Sequence, residues 1–439
     1  MDRLRKFPYA ALFKKHQKFN AETPVIPYDF DELMRFFADC ATMFKAEPSL
    51  LQLRGPVVVV SDIHGQYEDL HRIFTVAFKY GTSSRMLFLG DIVDRGMASL
   101  QCYIAILVRK LAFPNKFYVL RGNHENLDVN QRFGFFKELT SRYPDERAEE
   151  LHRAIGEVFS WTPLVAIIDR KILCMHGGVG PGIQTIDDLR KIQRPIESCE
   201  PGSIANDLLW ADPDPSVKGT EFNRARHTSV IFGEEEVERV CNALNVDVII
   251  RGHQCTPKGF DFPLKTKKLI LLFSAPGYCI MQQTNQFNQG AIALVGIRKG
   301  GKLVIKFRRL DKLVNSFGKN PALLDDEVTT ADPDNEKSQM EISNSKEKFD
   351  WNVVYPKEGS DETTSSKTDI VSSKMGSVSS KMGSVSSKMG SVSPKKPSKE
   401  AKKTKSKNAK KSYTASDYGF PMFSPREARR GTTTEMIEN

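Results

Sequence analysis

Asp62, His64, Asp91 and Asn123 are the residues whose types and spacing best suit a metal ion. They fall in three short clusters, Ser61-Asp-Ile-His-Gly-Gln66, Gly90-Asp-Ile-Val-Asp-Arg-Gly96 and Arg121-Gly-Asn-His-Glu125. Oxygen and imidazole donors of this kind suit manganese, iron or zinc better than a thiolate-seeking metal. One carboxylate shared by two such ions would set them roughly 3.5–4 Å apart, the spacing of two-metal phosphoester chemistry. Asp94, Arg95 and His124 remain as reacting or supporting groups. A lone Asp-x-His or Asn-His-Glu is usually only a turn or loop. Three clusters in order are much harder to obtain by accident.

The elements that must position them follow from the apolar pattern. Val57-Val-Val-Val60, Met86-Leu-Phe-Leu89 and Phe117-Tyr-Val-Leu120 read as strands, each running straight into a cluster. Tyr67 to Tyr80 and Ala98 to Leu111 between them have helical periodicity, which gives a β-α-β-α-β unit and a mostly parallel sheet. In such sheets sites form outside the carboxyl ends of the strands, so the three clusters are expected to converge. Downstream, Phe133 to Thr140 and Asp145 to Phe159 read as helices, and Leu164 to Ile168, Ile172 to Cys174 and Val246 to Ile250 as strands. The last two deliver His176 and His253.

The three clusters, followed by His176-Gly-Gly, Asp207-Leu-Leu-Trp-Ala-Asp-Pro213, Arg251-Gly-His-Gln254 and Ser274-Ala-Pro-Gly-Tyr-Cys279, resemble the metal-dependent serine/threonine protein phosphatases. They are most similar to type-1 catalytic subunits, over about Asp29 to Leu310. The resemblance implies an α/β protein of the calcineurin-like metallophosphoesterase fold: a central β-sandwich flanked by helices, with a two-metal site at the strand ends. It implies two divalent metal ions, manganese first and iron or zinc as native alternatives. Asp62, His64 and a bridging Asp91 would hold one ion, and Asp91, Asn123, His176 and His253 the other. Water activated there would attack phosphorus directly, with His124, oriented by Asp94, as general acid. Arg95, Arg226 and Asn123 would bind the phosphate and Tyr278 would face the same pocket. Arg226 is placed by counting back from Phe232-Gly233, and Arg224 is its rival. A groove formed by Asp247, Asp261, Phe262, Leu272, Leu303, Ile305 and Phe307 would dock regulatory subunits through a short hydrophobic peptide. An ordinary core-facing strand is the alternative there.

Several residues depart from the family pattern. Ser61 stands in place of a glycine, Ile92 in place of an aromatic residue, and Gly277 in place of an asparagine. The loop from Ile280 to Gln289 is longer than in type-1 enzymes and lacks their acidic residue. Cys255-Thr-Pro-Lys258 replaces an acidic stretch.

The 439 residues, 40% hydrophobic, are enough for one large domain with appendages. Residues 1–28 read as a loosely ordered lead-in, 29–311 as the catalytic domain and 312–439 as a low-complexity disordered tail. Three Val-Ser-Ser-Lys-Met-Gly-Ser repeats run from Val371 to Ser391 in that tail. Lys395 to Lys411 carries nine lysines against Glu400, so most of the formal net charge of +10 belongs to the tail. That run fits a nuclear import signal, contact with a nucleic-acid backbone, or a merely solvated tail. Seven scattered cysteines without a Cys-x-x-Cys pair fit a reducing compartment, and no apolar run approaches the ~20 residues that span a bilayer. An intracellular location, cytoplasm and/or nucleus, is expected. Two other functions compete with a protein phosphatase acting on phosphoprotein substrates. One is a two-metal phosphoesterase acting on nucleotides, and the other a catalytically impaired phosphatase-like scaffold.

Overall fold

A computed structural model describes residues 6–18, 20, 25–79, 85–281, 285–298, 301–310 and 325–326. The repeats, the lysine run and the rest of the tail, apart from residues 325–326, lie outside the described residues.

Val57–Val60, Arg85–Phe88 and Phe117–Val119 pair in parallel, as the β-α-β-α-β pattern requires. The connecting helices are Tyr67–Lys79 and Ser99–Ala112. The sheet is extended antiparallel by Gly290–Ile297, Leu303–Leu310 and Asp325–Asp326, giving six strands. A second six-stranded sheet runs in the order Leu50–Leu53, Val165–Ile168, Ile172–Met175, Val248–Arg251, Leu269–Leu272 and Phe260–Asp261.

The pleat explains why the strands are apolar on both faces. Successive side chains of a strand point to opposite sides. Val57 and Val59 enter the core between the two sheets, while Val58 and Val60 face the helices. In the second sheet Ala166 and Ile168 enter that same central core, and Val165 and Ile167 face the helices outside. The result is helix, sheet, sheet, helix, with apolar layers between them. This is the expected sandwich, and its second sheet was not legible from the β-α-β-α-β unit.

The helix Phe30–Ala46 begins where Asp29 accepts a hydrogen bond from the Glu32 backbone N–H and buries Phe36, Phe37 and Phe44. Residues 6–18 differ from the loose lead-in expected of them. Ala10–Lys15 is a helix, Leu12 and His16 are fully buried, and Tyr9 Oη donates to Asp39 at 2.6 Å. Phe7, Tyr9, Leu12 and Phe13 supply an apolar face that the interspersed lysines conceal in the sequence. Among the described residues, no helix is long and apolar enough to cross a membrane.

Candidate two-metal site

Every ligand-type residue singled out in the sequence reaches one place. The first three strands end at Asp62 and His64, at Asp91, and at Asn123, while Ile172–Met175 and Val248–Arg251 of the other sheet end at His176 and His253. Two glycines let these loops cross: a Cβ on Gly90 would lie 2.1 Å from the Gly122 nitrogen, and one on Gly122 would lie 2.2 Å from the Asp91 nitrogen. His64, Asp91, Asp94, Arg95 and His253 all adopt positive φ, between 47° and 70°. Each such residue costs on the order of 1–3 kcal/mol and persists only where the surroundings hold it, so strain is concentrated at this site.

Asp91 is central. Its Oδ2 lies 3.6 Å from His64 Nε2, 3.3 Å from His176 Nε2 and 3.9 Å from His124 Nε2, while Oδ1 accepts the His124 backbone N–H at 2.9 Å. Backbone carbonyls orient two of the imidazoles. His64 Nδ1 donates to Val93 O at 2.9 Å, and His176 Nδ1 donates to Leu89 O at 3.2 Å. Each therefore turns its Nε2 toward Asp91. His176 Nε2 also meets Asn123 Oδ1 at 2.8 Å and His253 Nδ1 at 3.1 Å.

Oxygen and nitrogen atoms converging in a buried pocket offer a place for a cation. Burial pushes His64 down to about 3 and His253 well below its usual range. Burial also works to raise Asp91, but the charges of His176 and His124 hold it well below the ordinary carboxylate range. Asp62 Oδ1 and His253 Nε2 are buried without a hydrogen-bond partner. His64, Asp91 and His124 form one group with ligand atoms within 4.8 Å of one another, and Asp91, His176 and His253 form a second. The two groups share Asp91. An oxygen and nitrogen donor set with orphaned atoms fits hard or borderline divalent cations.

His124 sits at the edge of this cluster. Its Nδ1 donates to Asp94 Oδ2 at 2.6 Å, and Asp94 Oδ1 accepts the Phe135 backbone N–H at 2.9 Å. Burial acts to lower the His124 pKa, but Asp91 and the Asp94 hydrogen bond prevail and raise it. Its ring stands edge-on to His64, with centroids 4.9 Å apart.

The calcineurin-like phosphoesterase family matches residues 55–257. Over 263 residues the chain is 40% identical to the serine/threonine-protein phosphatase PP1-delta of Caenorhabditis elegans, covering 60% of this chain and 82% of that protein. The chain belongs to the serine/threonine protein phosphatase family. Another Caenorhabditis elegans serine/threonine-protein phosphatase is 41% identical over 247 residues, 56% of this chain and 53% of that one. A protein serine/threonine phosphatase structure from Saccharomyces cerevisiae, with similarity to human phosphatase PP5, superposes with a TM-score of 0.57. At 28% identity it covers 66% of this chain and 93% of that one.

In this phosphatase chain the remaining residues divide into a rim and a core. Arg95 lies over the Phe133 ring at 4.3 Å, and the Tyr278 ring stacks on His64 at 5.0 Å. Arg226 Nε donates to Asp212 Oδ2 at 2.8 Å, whereas Arg224 is exposed. The proposed docking residues lie elsewhere. Leu272, Leu303, Ile305 and Phe307 are buried in the core between the sheets, Phe262 is half-buried beside Phe307, and Asp261 is exposed. Asp247 pairs with Lys171 at 2.6 Å. Asp325–Asp326 pairs with Phe307 and Arg308 along the edge of that strand.

Two supporting residues received no role from the sequence. Glu125 is buried and accepts backbone N–H groups of Asp91 at 2.7 Å, Ile92 at 2.8 Å and Gly122 at 2.8 Å, which ties the second cluster to the third. Burial and the nearby Asp91 push its carboxyl up to about 7. Asp212 holds both Arg226 and the buried Arg251, the latter at 3.1 Å. The available signal was their place inside motifs: each is an ionisable residue to which no chemistry had been assigned.

Proposed function

We propose that the chain hydrolyses phosphoserine and phosphothreonine in proteins, with His124 as the acid that protonates the departing side-chain oxygen. The observation that carries this reading is the His124–Asp94 pair, with His124 Nε2 turned toward Asp91, the residue that two ligand groups share. Asp62, His64 and Asp91 would hold one divalent cation, and Asp91, Asn123, His176 and His253 the other. Manganese is proposed first, with iron or zinc as alternatives. When bound, such ions supply positive charge for the phosphate oxygens and lower the pKa of water.

The chain's own groups do the rest. With Nδ1–H held by Asp94, the transferable proton of His124 is on Nε2, the atom that faces Asp91 and the pocket. Arg95 and Arg226 present forked guanidinium groups to phosphate oxygens, and Asp212 fixes the latter fork from behind. Tyr278 covers His64 and narrows the access of solvent. Docking of a regulatory subunit beside Phe262 and Asp261 belongs to the same reading, supported by the exposure of Asp261 on the edge strand Phe260–Asp261, where it pairs with Leu271.

The test is phosphate release from a phosphoserine peptide and from a dinucleotide, with manganese supplied, by the natural chain and by His124→Asn. The expected result is release from the peptide alone, with a loss of about 10²–10⁴-fold in the variant and unchanged metal content. Near-normal rates in the variant would remove His124 as the acid. Release from the dinucleotide would favour a nucleotide phosphoesterase, and no release from either substrate with two ions bound would favour a scaffold.

A further inference from the structure

We propose that Ser61 is a positioning residue for the first metal ion, acting by committing Asp62 to ligation through a single oxygen. Ser61 is fully buried, and its Oγ donates to Asp62 Oδ2 at 2.5 Å. The His253 backbone N–H donates to the same Oδ2 at 3.1 Å. Oδ2 therefore has two donors, while Oδ1 is buried without a partner and faces His64 Nε2 at 3.9 Å. A carboxylate divided in this way offers one free oxygen to the cluster and cannot rotate without breaking two hydrogen bonds. The hydroxyl also draws negative charge away from the ligand, as any donor to an anionic acceptor does.

Two further contacts show that the hydroxyl is built into this place. The Ser61 backbone N–H donates to Ser274 Oγ at 2.9 Å, and Ser274 Oγ donates to Ala291 O at 2.6 Å, so the serine is anchored to the neighbouring strand. On the other side, a Cβ on Gly252 would lie 2.2 Å from Ser61 Oγ and 2.7 Å from Asp62 Oδ2. The absence of a side chain at Gly252 leaves the space that the hydroxyl fills. Ser61, Asp62 and Gly252 thus form one unit, assembled from the strand ends of both sheets, that sets the direction of Oδ1.

This inference rests on the two-metal reading of the site, and its test separates the two. The full chain is stripped of metal and titrated with Mn²⁺ alone, with free ion followed by its paramagnetic resonance signal, for the natural protein and for Ser61→Ala. The natural chain binding two ions upholds the site. Removal of an outer group that orients a ligand typically costs 10–100-fold in metal affinity. Ser61→Ala is therefore expected to weaken one of the two ions by about tenfold or more while the other stays within about twofold. A merely space-filling role would not divide the two ions in this way. Ser61→Gly, which only removes atoms, provides the same comparison if the alanine chain does not fold. Two unchanged affinities, or equal weakening of both ions, overturns the proposal while leaving the site intact. No binding by the natural chain overturns the site itself.

Discussion

Two arginines compete for one phosphate-binding role in the stretch Asn223 to Gly233, and only their surroundings distinguish them. Arg226 is half-buried and its Nε is held at 2.8 Å by Asp212, which also holds Arg251. Arg224 is exposed. A guanidinium whose direction is fixed loses little freedom when it meets a phosphate, whereas a solvated one must be ordered first. Hydrogen bonds to charged groups contribute about 1.5–3 kcal/mol. Arg226→Lys, which keeps the charge and loses the fork, is therefore expected to lower kcat/KM on a phosphoserine peptide by about 10–100-fold, since 1.4 kcal/mol is tenfold. Arg224→Lys is expected to stay within about twofold of the natural chain. The reverse ranking in steady-state kinetics would move the phosphate contact to Arg224.

At the scale of elements, the site depends on loops from different strands being held at one height, and Glu125 does much of this. Oε1 accepts from Ile92 and, at 3.3 Å, from Val93, while Oε2 accepts from Asp91 and Gly122. Glutamine in its place keeps one acceptor oxygen and turns an NH₂ group toward backbone donors. A buried donor left without a partner costs about 1–3 kcal/mol. Glu125→Gln is expected to lower the unfolding free energy of the metal-free chain by about that amount, read by urea denaturation near pH 5, below the raised carboxyl pKa, so that the cost of holding a charged carboxylate in the fold does not offset the lost bonds. A change below about 0.5 kcal/mol, the usual range for a surface substitution, would show that the loops are held by something else. The sequence made the strand ends legible because Val57-Val-Val-Val60 and its counterparts are apolar on both faces and stop at polar clusters. It did not make Glu125 legible as a clamp, because accepting backbone N–H groups leaves no trace in spacing or periodicity. The pairing of Leu50–Leu53 with Val165–Ile168 was hidden for a related reason: it joins segments more than a hundred residues apart. The three clusters at the first strand ends could be read from local pattern, whereas His176 and His253 came from the family resemblance and the second sheet that carries them is fixed by long-range partners.

Across the described residues, 6–18 are part of the packed structure, and His16 gives a way to measure this. Its Nδ1 lies 2.7 Å from Tyr67 Oη and its Nε2 3.0 Å from Tyr28 Oη, and its carbonyl accepts from Arg109 Nη2 at 2.6 Å. Both ring nitrogens are thus engaged by hydroxyls, and the ring is fully buried. Burial first, then the charges of Arg109, His71 and Lys15, pushes its pKa well below the ordinary imidazole value. The unfolded chain takes up this proton near pH 6.5 and the folded chain does not, so the unfolded state binds more protons as pH falls. The contribution of neutral His16 is complete above about pH 6.5 and is lost below it at ~1.4 kcal/mol per pH unit. Other depressed histidines, His71 and His152 among them at about 4, add to the slope of the natural protein. The comparison is therefore a difference between two slopes. Urea unfolding of His16→Gln at several pH values between 7 and 5 is expected to give a dependence shallower by one proton, whatever the variant loses at neutral pH. An identical slope would mean that His16 titrates normally. The segment before Asp29 would then open ahead of the domain it packs against, so the outcome decides whether the sheet, helix and N-terminal layers unfold as one unit.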